Sequence, residues 1–148
     1  MTLKIDYFYQ AGLGIMGVLA LLAYPYSIGS VKDCSNGLSK IRVNSMSFLP
    51  DPAVKGQNST LKLSLDNPSQ VLAGTATYSF TYNFIPLAPE VKDLCLEVPG
   101  GCPIQPGILD TSSSYLIDPN LSGTIGMKIQ WKDKVNTELL CVSVSMKL

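Results

Sequence analysis

Four cysteines are the residues of this chain whose type and spacing most clearly indicate chemistry: Cys34, Cys95, Cys102 and Cys141. An even number of cysteines is typical of a disulfide framework in a secreted protein, and four cysteines allow three pairings. The spacing favours Cys34–Cys141, which would join the two ends of a domain, and Cys95–Cys102, which would close a short loop. Zinc is the alternative, but the chain contains no CxxC pair, so the usual spacing of a zinc site is missing.

Groups that could carry out catalysis are sparse. The chain has no histidine, so it has neither a Ser-His-Asp nor a Cys-His pair and no histidine metal ligand. Carboxylates at Asp110, Asp118, Asp133 and Glu138 fall in predicted loops or turns, where such groups are far more often solvated than catalytic. The run Ser112-Ser113-Ser114 has no base that could activate a hydroxyl. We therefore predict no enzymatic activity, no metal and no cofactor.

The composition is that of one folded domain. The chain has 148 residues, of which 46% are hydrophobic and 15% are charged, against a usual charged share of about 25%. This apolar fraction is too high for intrinsic disorder. Lys plus Arg and Asp plus Glu both number 11, so the chain lacks the positive charge of a nucleic-acid binder.

The first 29 residues have the pattern of a secretory signal peptide. Residues 7–28 carry no charge, and Pro25-x-Ser27-x-Gly29 combines a helix break with the small residues of a cleavage site. We therefore predict a signal peptide over residues 1–29 and a mature domain over residues 30–148. An uncleaved signal anchor is the alternative, because about 20 apolar residues can span a bilayer.

Two glycosylation sequons agree with entry into the secretory pathway: Asn58-Ser59-Thr60 and Asn120-Leu121-Ser122. In a secreted chain, Asn58 and Asn120 are predicted glycan sites on the surface. The expected location is the extracellular space or the lysosomal-endosomal lumen.

After Cys34 the chain alternates apolar and polar residues with a period of two, which predicts half-buried β-strands. The clearest runs are residues 61–65, 74–84, 124–132 and 140–148. A slip in phase at residues 44–45 predicts a β-bulge, and a short strand is expected over 114–118. Many prolines and glycines between residues 85 and 107 predict a long loop. Six or seven strands at this spacing indicate an all-β sandwich or barrel.

The predicted inward faces of these strands are strongly apolar and aromatic. They carry Tyr78, Phe80, Tyr82, Phe84, Met127, Ile129, Trp131, Val144 and Met146. Such stripes usually form an ordinary packed core, and methionines fit either a core or an adaptable apolar site. The pattern alone therefore favours a solid core over a ligand cavity.

The cysteine order and its flanking motifs resemble the ML lipid-recognition domain family, of the Niemann–Pick C lysosomal sterol carrier and phosphatidylglycerol/phosphatidylinositol transfer protein type. The matching motifs are Val54-Lys55-Gly56-Gln57-Asn58, Ile85-Pro86-Leu87-Ala88-Pro89-Glu90, Cys102-Pro103-Ile104-Gln105 and Leu140-Cys141. The resemblance spans essentially the whole mature chain, and Cys-Pro-Ile-Gln with the order of the cysteines is its most specific part.

The resemblance implies an immunoglobulin-like β-sandwich of two antiparallel sheets, about seven strands, that part to hold a lipid. It implies the same two disulfides that the spacing favours. The expected function is to carry a sterol or phospholipid, as a monomer, between membranes or partners. A membrane surface or a lipid-accepting membrane protein would be the transient partner.

Ten residues are the lipid-binding candidates. Ile85, Pro86 and Leu87 match the entrance segment of the family, and Ile125 and Trp131 match pocket-facing positions on a late strand. The full set is Phe80, Phe84, Ile85, Pro86, Leu87, Ile125, Met127, Trp131, Val142 and Val144. The competing interpretation is a secreted immunoglobulin-like interaction module with a solid core and no lipid ligand.

Overall fold

The computed structural model describes residues 29–148, so all but the last residue of the predicted signal peptide lies outside the described residues. The elements are β1 (Ser30–Asp33), β2 (Arg42–Leu49), β3 (Asn58–Asn67), β4 (Gly74–Tyr82), β5 (Ile85–Pro86), β6 (Glu90–Asp93), the one-turn helix α1 (Leu94–Glu97), β7 (Gly107–Leu116), β8 (Thr124–Asp133) and β9 (Glu138–Lys147). Within this part of the chain, no helix has the length and apolar character needed to cross a membrane.

The strands form two antiparallel sheets. The larger sheet has the order β1–β9–β8–β4–β5, and β6 pairs with β4 beside β5. The smaller sheet has the order β2–β3–β7. The prediction of an all-β sandwich of two antiparallel sheets is confirmed, with the short strands β5 and β6 lying inside the segment expected to be a loop.

Alternation along the strands builds the core between the sheets, as predicted. Leu61, Leu63 and Leu65 of β3 are buried, and so are Val142 and Val144 of β9. Such apolar side chains stabilise the fold because their surface is removed from water, at about 25 cal/mol per Å².

The predicted β-bulge is present in β2. The pairing of β2 with β3 shifts register between Val43 and Ser45. The extra residue restores the inward phase, so that Met46 and Phe48 follow Val43 onto the core side.

Strand β7 is longer than the sequence predicted, because it runs over ten residues and pairs with the whole of β3. Its inward positions are Leu109, Thr111, Ser113 and Tyr115, which are half-buried. Three of these four side chains carry a hydroxyl, so the strand lacks the apolar alternation on which the prediction depended. Backbone pairing with β3 decides its length instead.

Both predicted disulfides are present. Cys34–Cys141 has an S–S distance of 2.00 Å and Cys95–Cys102 one of 2.05 Å. The first ties the segment after β1 to β9, and the second closes the turn that follows α1. The helix itself begins with a side-chain cap, since Asp93 accepts a hydrogen bond from the Cys95 backbone N–H at 2.9 Å.

Candidate functional site

A cavity of about 470 Å³ lies between the two sheets at one end of the sandwich. We call this the open end: β2, β4, β7 and β9 finish there, and β8 begins there. The closed end is the opposite one, where β4 begins and β8 finishes. The cavity is in the size range of ligand pockets in proteins, about 300–1,000 Å³.

Both sheets contribute to the cavity wall. The lining residues from the larger sheet and the segment after β5 are Phe80, Thr81, Tyr82, Leu87, Ile125, Met127 and Met146. Those from the smaller sheet and the loop after β7 are Phe48, Tyr115, Leu116, Ile117 and Leu121. None of these side chains is charged, and only Thr81, Tyr82 and Tyr115 carry a hydroxyl. The wall therefore suits an apolar ligand whose burial is driven by the hydrophobic effect.

The outer face of the smaller sheet has a depression of similar size, about 500 Å³. Its wall includes the outward-facing Ser45, Ser47, Lys62, Ser64 and Asp110. An apolar ligand there would also cover a lysine, an aspartate and several hydroxyls, and removing these groups from water costs free energy. The cavity between the sheets is therefore the candidate site.

Exposed apolar residues surround the mouth of the cavity. Leu87 and Leu116 line it and are 53% and 70% exposed. The hairpin made by the end of β4, the two-residue turn Asn83-Phe84 and β5 lies beside them. Its Phe84 and Ile85 are 83% and 64% exposed. The open end thus presents large apolar side chains to solvent next to an apolar cavity.

The hairpin is held firmly in place. Asn83 donates its backbone N–H to the Thr124 carbonyl at 2.8 Å, and its side-chain oxygen accepts the Thr124 N–H at 2.9 Å. Gly123 has a φ of +101°, and a Cβ there would overlap the Asn83 side-chain oxygen. Glycine is therefore required at this position for the hairpin to dock against the start of β8.

A smaller, polar gap of about 220 Å³ adjoins the cavity at the edge between β7 and the β4–β6 pair. We call it the polar side pocket. It is lined by Tyr78, Phe80, Glu90, Lys92, Glu97, Ser113, Ser114 and Tyr115. Lys92 Nζ lies 3.9 Å from a Glu90 carboxylate oxygen, 3.8 Å from one of Glu97, and 5.1 Å from the centre of the Tyr78 ring.

The tyrosines of the polar side pocket stay protonated. Burial, a hydrogen bond to Glu97 and the negative charge of that carboxylate raise the pKa of Tyr78 far above its ordinary value. Burial also raises the pKa of Tyr115, opposed by a hydrogen bond to Ser113 and helped by the charge of Glu97. Both phenols therefore remain neutral hydrogen-bonding groups at physiological pH.

The ten predicted lipid-binding residues fall into three groups. Four of them line the cavity: Phe80, Leu87, Ile125 and Met127. Three lie on the exposed hairpin beside the mouth: Phe84, Ile85 and Pro86. Three are buried in the core and do not line the cavity: Trp131, Val142 and Val144.

Two expectations about these residues are corrected by the structure. The inward face of β4 was expected to extend to Phe84, but the strand ends at Tyr82 and the chain reverses through Asn83 and Phe84, both with positive φ. Trp131 was expected to face the pocket, but it lies six residues along β8 from Ile125, about 20 Å at 3.4 Å per residue. It packs in the core at the closed end instead, whereas Val142 and Val144 pack in the core along the middle of β9.

Several cavity-lining residues were not among the predicted set. The loop after β7 supplies Ile117 and Leu121, and β2 supplies Phe48. Ile117 is positioned by backbone hydrogen bonds to the turn before β3, one with Gln57 and one with Gly56. The paired apolar residues Leu116-Ile117 at a strand end were the available signal, because they break strict alternation.

The predicted glycan sites are both exposed: Asn58 begins β3 and Asn120 lies in the loop after β7. The described residues hold no group of three cysteine, aspartate or glutamate side chains that could bind a metal.

Comparison with known proteins agrees with this geometry. A family model described as the ML domain matches residues 29–148. "Putative phosphatidylglycerol/phosphatidylinositol transfer protein 2" of Dictyostelium discoideum is 27% identical over 139 residues, covering 90% of this chain and 96% of that protein. Protein 1 of the same name and organism is 22% identical over 133 residues, covering 88% of each.

Two solved structures show the same fold. A Niemann-Pick type C2 protein from the Japanese carpenter ant superposes with a TM-score of 0.61 at 12% identity, covering 80% of this chain and 98% of that one. Chicken MD-1, complexed with lipid IVa, superposes with a TM-score of 0.57 at 11% identity, covering 82% and 95%. The two disulfides indicate a protein of the secretory pathway. With its family model, its two-sheet fold and its apolar cavity, the chain belongs to the ML domain family and is a lipid-binding protein rather than an enzyme.

Proposed function

We propose that this protein carries one phospholipid molecule between membranes, with the acyl chains in the cavity at the open end. The observation that carries the proposal is the cavity of about 470 Å³ whose lining residues include no charged side chain. Burial of acyl chains there would stabilise the complex by about 25 cal/mol per Å² of apolar surface, less the cost of ordering the ligand. A solid-core interaction module would have no use for such a space.

A phospholipid is favoured over a sterol by the relatives. The Dictyostelium proteins are named for the transfer of phosphatidylglycerol and phosphatidylinositol, and this chain matches 88–96% of their length. MD-1 was solved with lipid IVa, so a protein of this fold is known in complex with a lipid. We therefore take phosphatidylglycerol or phosphatidylinositol as the first ligands to test, and a sterol as the alternative.

The hairpin at the mouth is proposed to contact the membrane during transfer. Both of its loop residues have positive φ, as type I′ hairpin turns require, and glycine or asparagine is preferred there. Phe84 instead puts an 83% exposed aromatic ring at a φ of +68°. This residue is strained and buries little of itself in the fold. Insertion into the interfacial region of a membrane would bury the ring beside the cavity mouth, where a lipid must enter.

The cellular route follows from the same proposal. We infer that residues 1–29 direct the chain into the secretory pathway and that residues 30–148 form the carrier. Asn58 and Asn120 are exposed and are proposed to carry glycans. The carrier would act as a monomer, in the extracellular space or in the lysosomal-endosomal lumen, and would deliver its lipid to a membrane or to a membrane protein that accepts it.

The decisive experiment is lipid extraction and mass spectrometry of the secreted protein, purified without detergent. A stoichiometric phospholipid is expected. An empty protein that also fails to take up fluorescent phospholipid or sterol would overturn the proposal in favour of the solid-core module.

A cavity-filling variant tests the location of the ligand. Ile125→Trp places a larger side chain in the cavity and would displace about 55 Å² of ligand contact, which corresponds to about tenfold weaker binding. Val135→Trp is the matched control, because Val135 is 80% exposed in the turn between β8 and β9 at the closed end. Equal binding by the two variants would contradict the assignment of the cavity.

A further inference from the structure

Three lysines lie on the outer face of the larger sheet, on neighbouring strands. Lys128 of β8 is opposite Ser143 of β9 in the strand register, and Ser143 is opposite Lys32 of β1. Lys147 lies four residues beyond Ser143, on the same side of β9. All three lysines are exposed, and no carboxylate of residues 29–148 lies within ion-pair distance of any of them. We call the surface formed by Lys32, Lys128 and Lys147 the lysine face.

The register determines how these lysines are spaced. Lys128 and Lys32 are two strands apart, so their Cα atoms are separated by about 10 Å, at about 4.8 Å per strand. Lys147 is displaced from this row by four residues along β9, which is about 14 Å. The lysines therefore spread over the sheet and do not surround one point. This arrangement suits an extended anionic surface better than a single small anion.

Carboxylates of neighbouring residues already have other partners. Asp33, next to Lys32 in sequence, accepts the Ser35 backbone N–H at 2.7 Å. Glu138, at the start of β9, accepts a side-chain N–H of Gln130 at 3.1 Å. The lysine face therefore keeps a local positive charge, although the net charge of the chain is zero.

The outer face of the smaller sheet differs, because its charges are balanced. Arg42 of β2 lies directly opposite Asp66 of β3. Lys62 of β3 is diagonal to Asp110 of β7, within the range over which cross-strand side chains interact. The uncompensated positive charge therefore belongs to one sheet, and an anionic partner would be attracted to that side of the molecule.

The lysine face also lacks the apolar centre of a protein interface. Its residues next to the lysines in the register are small or polar: Ser79, Thr81, Thr124, Gly126, Ser143 and Ser145. Stable protein–protein interfaces have aromatic or other apolar side chains at their centre. An anionic membrane needs no such centre, because each lysine close to its surface contributes to binding separately.

The lysine face reaches the hairpin at the open end. Lys147 is opposite Thr124 of β8, and Thr124 is hydrogen-bonded to Asn83 in the hairpin turn. Lys147 and Asn83 are therefore about two strand spacings apart, or about 10 Å. A carrier tilted toward its larger sheet would bring the hairpin and the lysine face to the same membrane.

We infer that the lysine face binds anionic membranes and tilts the carrier so that the hairpin and the cavity mouth reach the bilayer. The partner is the negatively charged surface of a lipid bilayer, whichever lipid fills the cavity. The inference rests on the proposed function, since it requires a carrier that visits membranes. Vesicle binding and lipid uptake are separate measurements, so the two proposals can fail separately.

The test is sedimentation of the secreted protein with phosphatidylcholine vesicles, prepared with and without phosphatidylserine. We expect tighter binding to the anionic vesicles, and loss of this gain at about 1 M salt, where the screening length is about 3 Å. Lys32→Gln/Lys128→Gln should bind the anionic vesicles about 25-fold more weakly, at about fivefold per lysine. Lys32→Arg/Lys128→Arg keeps both charges and should bind like the wild-type protein.

The matched control is Lys62→Gln/Lys134→Gln, which removes the same charge from the smaller sheet and from the exposed turn at the closed end. It should bind the anionic vesicles nearly as well as the wild-type protein. Equal weakening by the two glutamine pairs would overturn the inference, because net charge would then decide binding.

Two further outcomes would overturn the assignment of the lysine face to membranes. One is equal binding of the wild-type protein to both kinds of vesicle. The other is binding to heparin through Lys32 and Lys128 without binding to the anionic vesicles, which would assign the face to a soluble polyanion. Neither outcome affects the proposed function, which fails only if the protein is empty and takes up no lipid.

Discussion

The two ends of the sandwich are built from the same strands but differ in how the space between the sheets is filled. At the closed end, connecting segments insert Val71, Leu94, Val98 and Ile104 into the core. Val71 and Ile104 also bridge through two backbone hydrogen bonds of 3.0 and 2.8 Å. At the open end, the loop after β7 supplies only Ile117 and Leu121, and a cavity remains. The difference shows that the connections, rather than the strands, decide where this fold stays empty.

The closed end contributes mainly to the stability of the fold, and the open end mainly to its function. Both disulfides, the helix cap and the fully buried Leu139 and Leu140 lie in the half of the molecule toward the closed end. The cavity and the exposed apolar hairpin lie at the other end. Changes at the closed end should therefore lower the free energy of unfolding, whereas changes at the open end should alter lipid binding or transfer.

The largest expected effect comes from removing the Cys34–Cys141 disulfide. Its cysteines are 107 residues apart, and closing so long a loop is worth about 4–5 kcal/mol in the chain-entropy model. Replacing both cysteines by alanine should lower the free energy of unfolding by this amount in urea titrations. The matched variant lacks Cys95–Cys102, which are seven residues apart, and should lose only about 2 kcal/mol. Equal losses would contradict this ranking.

A pair of alanine variants on β8 compares the two ends directly. Ile125 and Ile129 lie on the same inward face, but Ile129 is fully packed whereas Ile125 lines the cavity. Ile129→Ala should lower the free energy of unfolding by about 2–5 kcal/mol, and Ile125→Ala by less than about 1.5 kcal/mol. In lipid-binding titrations only Ile125→Ala should weaken binding. A cost as large at Ile125 as at Ile129 would show that the open end is packed.

The hairpin variant Phe84→Gly separates lipid transfer from lipid binding at the open end. Glycine adopts positive φ without strain, so the free energy of unfolding should stay within about 1 kcal/mol of the wild-type value. The rate of lipid transfer between vesicles should fall several-fold, while equilibrium lipid binding in solution is unchanged. Val135→Ser, in the exposed turn at the closed end, is the control for transfer. An unchanged transfer rate in Phe84→Gly would remove the hairpin from the mechanism.

The smallest expected effect is a pH dependence at the closed end. The Asp133 carboxylate accepts backbone N–H groups from Thr137 at 2.8 Å and Val135 at 3.0 Å, and Lys40 lies 3.4 Å away. Led by the Thr137 hydrogen bond, these groups hold the pKa of Asp133 below its ordinary value. A lowered folded-state pKa stabilises the protein above the unfolded-state pKa, about 3.9, and that stabilisation is lost as pH falls through the folded-state value.

Melting temperatures from pH 7 to pH 2 test this dependence. Asp133→Asn should remove part of the loss in acid, because the asparagine side chain does not titrate there. Lipid binding at the open end should not differ between the two proteins at pH 7. Identical acid profiles of the melting temperature would exclude Asp133 as a contributor.

The fold was largely predictable because its signals are local. Alternation over β3, β8 and β9 identified their inward faces, and the slip in phase at residues 44–45 identified the bulge. The disulfide pairing followed from spacing and from the family resemblance. The extent of β7 was not predictable, because its inner face carries hydroxyls and its length is decided by pairing with β3.

The site was only partly predictable. Phe80, Ile125 and Met127 have the same alternating pattern as Trp131 and Val142, yet the first three border a cavity and the other two are packed in the core. Alternation shows which side of a sheet a residue faces. Alternation contains no information about whether a side chain of the opposite sheet packs against that residue.

The amino-acid sequence by itself determined the all-β class, the two disulfides and the apolar inner faces, because cysteine spacing and period-two alternation act locally along the chain. Only the tertiary structure decided that the closed end is filled and the open end is not. It also decided that Phe84 leaves the core and that a polar pocket on β7 adjoins the cavity. The physical reason is that a cavity is a property of the distance between two packed layers, and that distance depends on loops far apart in sequence.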